Sequence, residues 1–97
     1  MITTEDIIKW SKPHRVPDAR KTVLTNDHVI FSIVGGSQGL YGDFNETFEV
    51  AILDKETQDF ITNLFHSTNG DDVLPYLQRD ELERLVNKVF PADFQVL

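Results

Sequence analysis

The sequence predicts an α+β fold: a small antiparallel sheet of three to four strands with an N-terminal and a C-terminal helix packed on it. Three observations carry that expectation: β-type runs within 21–34 and 47–53, an apolar stripe of helical period over 79–90, and a capped helix start at residues 3–6. With 97 residues, 40% of them hydrophobic, and only five glycines and four prolines, the chain reads as one domain, 1–97. A chain of this size can bury about 65% of its unfolded surface, enough for two layers.

The first element is a helix within residues 1–11. Thr3 or Thr4 can cap it, Glu5 and Asp6 sit at the positive end of its dipole, and Ile7, Ile8 and Trp10 give it an apolar side. Pro13 and Pro17 end it, so 12–20 is expected as a connector, with His14 as an exposed polar residue. The sheet is expected over 21–65. KTVLT (21–25) and HVIFSIV (28–34) flank Asn26 and Asp27, which tolerate the left-handed backbone of a tight hairpin. The second run is apolar on both faces, the mark of a central strand. In TFEVAIL (47–53), Phe48, Val50 and Ile52 share one face and Thr47, Glu49 and Ala51 the other.

Residues 54–65 fit two patterns. As a hairpin, Asp54–Asp59 turn and Phe60–Phe65 form a fourth strand. As a helix, Asp54 caps and Phe60, Ile61, Leu64 and Phe65 share a face. The hairpin is favoured because the run is short, Thr62 and Asn63 are poor helix formers, and the turn-like STNG follows at 67–70. NGDDVLPYLQRDEL (69–82) reads as a solvated turn leading into a helix start; the EF-hand order of ligands is absent. The last helix, 79–90, is marked by Leu82, Leu85, Val86, Val89 and Phe90 on one stripe and is stopped by Pro91. The tail holds Phe94, Val96 and Leu97, apolar enough to dock back onto the domain or a partner.

Composition excludes several chemistries. Without cysteine there is no disulfide, thiolate metal site or cysteine nucleophile. No apolar stretch is long enough to span a bilayer and the N-terminus does not resemble a secretory signal, so the expectation is a cytoplasmic protein. The net charge of −7 opposes contact with phosphate backbones and anionic membranes, so neither direct nucleic-acid binding nor membrane binding is expected. The charge is uneven: residues 1–22 carry +2, through Lys9, Lys12, Arg15, Arg20 and Lys21 against three acids, while 23–97 carry −9.

Four of the five glycines fall in GGSQGLYGDFNE, 35–46. The spacing of Gly36, Gly39 and Gly42 suggests a phosphate loop only faintly, since a strand follows where a helix N-terminus is needed and no Lys lies between Lys21 and Lys55. Leu40 and Tyr41 at the middle of so flexible a loop either fold back into the core or contact a partner. His14, His28 and His66 are far apart, and no serine lies in a nucleophile elbow. No catalytic residue, metal ligand or cofactor is therefore expected.

The function expected is that of a small acidic, non-enzymatic protein-interaction domain, an inhibitor or adaptor presenting carboxylates to a basic protein partner. Leu40, Tyr41, Asp43 and Phe44 are the partner-binding candidates. Size, acidity and the lack of catalytic motifs also suit an accessory protein of a mobile element. Two alternatives stand beside it: a homodimeric structural module, joined through strand edges or the Phe94, Val96, Leu97 tail, and a small-ligand binder using the glycine-rich loop 35–42.

Overall fold

The computed structural model describes residues 1–37 and 39–97. Thr3 opens the first helix, α1 (Thr4–Lys9): its hydroxyl accepts the Asp6 amide and the Asp6 carboxylate accepts the Thr3 amide, both at 3.1 Å. This reciprocal box satisfies two donors that a helix start otherwise leaves unpaired. Lys12–Pro13 then form a short strand, β1, against the start of β2 (Arg20–Thr25). Between β2 and β3 (Val29–Gly35) the turn is built by Asn26, whose Oδ1 accepts the amides of His28 and Val29 at 2.8 and 3.0 Å. Neither Asn26 nor Asp27 is left-handed, so a side-chain acceptor shapes the turn in place of the positive φ the sequence suggested.

Strand β4 (Thr47–Asp54) pairs with the far side of β3, and β5 (Leu74–Gln78) pairs with β4. Helix α2 (Arg79–Val89) follows at once, and β6 (Gln95–Val96) returns to β2. The result is a small antiparallel sheet of six strands, ordered β1-β2-β3-β4-β5, with β6 beside β1 on the outer edge of β2. Five strands form the path and the sixth completes one edge, against the three to four expected.

The two-residue strands β1 and β6, in segments expected as connector and tail, add two to the count, and two longer stretches also differ. Residues 60–65 are not a full strand. Asp54–Asp59 do turn, with the Asp54 carboxylate accepting the amides of Glu56 and Thr57, and Phe60 makes one bridge to Leu53. The chain then enters a short 3-10 turn at Thr62–Leu64, because the Thr62 hydroxyl takes the Ile52 amide that another strand residue would have taken. The second stretch is β5, in a segment read as turn and helix start. Its buried leucines, Leu74 and Leu77, are three apart and hide the period of two. The register explains the spacing: Phe48 faces Leu77 and Val50 faces Leu74, so Glu49 stands opposite both Pro75 and Tyr76 in a bulge. The helix expected at 79–90 forms at 79–89, with Leu82, Leu85, Val86 and Val89 buried as a stripe.

Both helices lie on one face of the sheet. Residues paired across an antiparallel ladder share a face. Thr22–Ile33–Val50 and Leu24–Phe31–Ile52 are two rows of the inner face, and every member is buried. The helices close over these rows, with α1 tied down where the Thr22 hydroxyl donates to the Ile7 carbonyl at 2.6 Å. The tail docks on the same side through tilted contacts of Phe94 with Trp10 and Phe90, and of Phe90 with Phe31.

The outer face carries the alternate rows: Lys12–Lys21–Val34–Glu49, then Val23–Ser32–Ala51, then Thr25–Ile30–Leu53–Phe60. No helix covers it. Val23, Ile30, Ala51 and Leu53 are half-exposed and do not belong to the core cluster, which is built from inner-face and helix residues.

Candidate interaction site

The glycine-rich loop is held by close approaches of its own backbone. The Gly36 amide donates to the Gly42 carbonyl at 2.9 Å. A Cβ on Gly42 would lie 2.7 Å from the Thr47 carbonyl oxygen and 2.8 Å from the Phe48 Cα. Only glycine lets the loop pass so near the start of β4. The loop leads into a strand, β4, and not into a helix.

Past Gly42 the loop is fixed by Asp43. Its Oδ1 accepts the amides of Asn45, Glu46 and Thr47 at 2.8 to 3.0 Å, while its own amide donates to the Thr47 hydroxyl. These donors, Thr47 foremost, hold the Asp43 carboxyl down at about 2. Phe44 adopts a left-handed φ of 59° and drops into the core, 6% exposed, edge-on to Phe48. Of the four sequence candidates, then, Phe44 packs inward and Asp43 is engaged with its own loop through one carboxylate oxygen. Leu40 is half-exposed, and Tyr41 is 48% exposed.

Tyr41 is joined there by a residue that sequence reasoning missed. Tyr76, 59% exposed, lies with its ring centroid 5.8 Å from that of Tyr41 at 59°. The Tyr76 amide donates to the Tyr41 carbonyl at 2.9 Å, and the Tyr41 amide donates to Glu49 Oε1 at 3.1 Å. Tyr76 holds a φ of 52°, which an aromatic L-residue rarely adopts. The available signal was an aromatic following Pro75 in the short run VLPYL, without any periodicity to show where it would point.

Tyr76 separates two open hollows. One, of about 370 Å³, is lined by Gly36, Ser37, Leu40, Gly42, Asp43 and Thr47. The other, of about 230 Å³, includes His66, Asp71 and Glu81. The charged groups around the tyrosines are thus mainly acidic. Arg79, three residues beyond Tyr76, is occupied: it forms an ion pair with Glu5, approaches Glu46 at 3.6 Å, and donates from Nε to the Asn45 carbonyl at 2.6 Å. It ties α1, the loop and the start of α2 together.

No family model, curated protein or solved structure matches the chain. Among the described residues, no group of three His, Asp or Glu side chains is placed to hold a metal ion. No helix there is long and apolar enough to cross a membrane.

Proposed function

We propose that the chain is a small acidic, non-enzymatic protein-interaction domain of the cytoplasm, acting as an inhibitor or adaptor. It engages a basic protein segment through Leu40, Tyr41 and Tyr76, with Asp43, Glu49, Asp71 and Glu81 as the acidic surround. The observation that carries this reading is the exposed Tyr41–Tyr76 pair, set in a backbone that keeps Tyr76 left-handed. Folding gains little from two half-exposed rings, whereas interfaces draw much of their energy from anchored aromatics. Asp43 supports the reading indirectly, by fixing the loop so that little ordering remains to oppose binding.

The test is capture of partners from lysate by the tagged protein at about 50 and about 500 mM salt, which separates charge-driven from apolar contact. A partner held at low salt, released at high salt and lost with Tyr41→Ala/Tyr76→Ala supports the reading. A partner retained by the folded double variant removes this corner as the contact surface.

A further inference from the structure

We propose that the outer face of the sheet is covered by the same face of a second copy of this chain, about a two-fold axis running along β3 in the plane of contact. The inference rests on the reading of the Tyr41–Tyr76 corner as the acceptor of a basic protein segment, and it names that segment as Lys12 and Lys21 of the second copy.

An antiparallel sheet with one solvated face normally alternates apolar and polar residues. The outer face departs from this in its second and third rows. Val23, Ile30, Ala51 and Leu53 surround Ser32, and Phe60, 48% exposed, extends the last row beyond Leu53. The charges stand in the remaining row. Lys12 and Lys21 occupy its β1–β2 end, and Glu49 its β4 end beside the Pro75–Tyr76 bulge. Neither lysine nor Glu49 forms an ion pair among the described residues.

This asymmetry selects one symmetry. A two-fold along the strands reverses strand order while keeping the position along each strand, so β2 of one copy lies over β4 of the other. Lys21 then meets the second copy's Glu49, and the reciprocal pair forms with it. Lys12 reaches toward the Tyr76 bulge, where a lysine over a tyrosine face is a cation–π contact. Val23 covers Ala51, and Ser32 meets its own copy on the axis. A two-fold running across the strands would instead set Lys21 over Thr25 and Glu49 over Leu53, leaving every charge unpaired. The angle of about 30° between aligned packed sheets is within the reach of lysine side chains. The strand spacing makes the face roughly 20 Å by 15 Å, small for an interface, so the association is weak and reversible.

Sedimentation equilibrium over about 5 µM to 1 mM tests this on the wild type, Lys21→Glu, Glu49→Lys, the double charge exchange, and Ser32→Arg. Ser32→Arg places a bulky charge on the axis without touching the loop. Expected is a wild-type monomer–dimer equilibrium, at least tenfold weaker dimerisation in each single variant, and recovery to within about threefold in the double exchange. Dimerisation unchanged in folded Ser32→Arg and in both charge variants overturns the proposal, as does a wild type that stays monomeric at 1 mM. Amide shifts on adding an acetylated tri-lysine peptide then separate the two readings. Shifts at Gly42, Glu49 and Tyr76 in a monomeric protein leave the basic-segment reading standing and remove only the second copy; no shifts there remove both.

Discussion

The hydroxyl of Thr62 accepts the amide of Ile52 at 2.9 Å and donates to the carbonyl of Asp72 at 2.8 Å, so one side chain joins β4 to the segment that precedes β5. Thr62 is almost wholly buried. Thr62→Val keeps the shape but leaves the Ile52 amide without that acceptor in the interior. The expected cost is about 1–3 kcal/mol, read as a lower midpoint in urea with little change in slope.

Gly42 and Phe44 set the loop against β4 from two sides. Gly42→Ala drives a methyl into the Thr47 and Phe48 backbone, which cannot yield as a side chain would. Overpacking of this kind costs about 1–3 kcal/mol. Phe44→Ala empties a core position and is expected to cost about 3–5 kcal/mol. Thermal unfolding should rank both well below Tyr41→Ala, whose ring is half in water.

Acid should loosen this same loop. The Asp43 carboxyl is held at about 2, below the ordinary aspartate value of about 3.9, because the folded loop donates hydrogen bonds to its ionised form. A depressed carboxyl contributes its stability fully above the unfolded value and loses it as pH falls through the folded one. The loss therefore develops between about pH 4 and about pH 2. Asp6, Asp54 and Glu83, also lowered by hydrogen bonds to the ionised form, add to it in the same direction. Asp43→Asn should lower stability at neutral pH and flatten the acid limb of a stability–pH curve. An unchanged acid limb would show that Asp43 does not contribute to it.

Tyr76→Asn separates folding from contact. Asparagine accepts the left-handed backbone more readily, a gain of about 0.5–1 kcal/mol, while the lost ring pairing costs a similar amount. Stability is expected to stay within about 0.5 kcal/mol of wild type. Partner capture should fall at least tenfold. A variant that is stable and still binds would leave the Tyr76 ring without a role at the surface.

What could be read from the chain follows from which signals are local. Capping at Thr3, the Asn26 turn, the alternation of Phe48, Val50 and Ile52, and the stripe from Leu82 to Val89 are each set by residues within one or two turns. All four appear in the fold. Strand β5 was illegible because its bulge replaces a spacing of two by three, and Pro75 suppresses the pattern further. The segment 60–65 was misread because a side chain, Thr62, replaces a backbone partner in the ladder, and residue type alone does not announce that choice. At the site, Tyr41 and the outward face of Glu49 were legible from loop position and strand period. Tyr76 was not, since it reaches Tyr41 from 35 positions away in sequence by a contact that no local pattern encodes.

The attachment of α1 to α2 bears on the order in which the chain becomes native. The Asn87 side chain bonds both the amide and the carbonyl of Ile2, and Glu83 accepts the Thr4 amide. A helix of six residues does not persist in water unaided, so α1 gains its lifetime from a surface about eighty positions away. Its amides should therefore exchange with solvent through openings that leave β2, β3 and β4 intact, and become protected only after α2 has settled on the sheet. In folding terms α1 is a late arrival: a well-capped helix signal that stays silent until its distant support is in place.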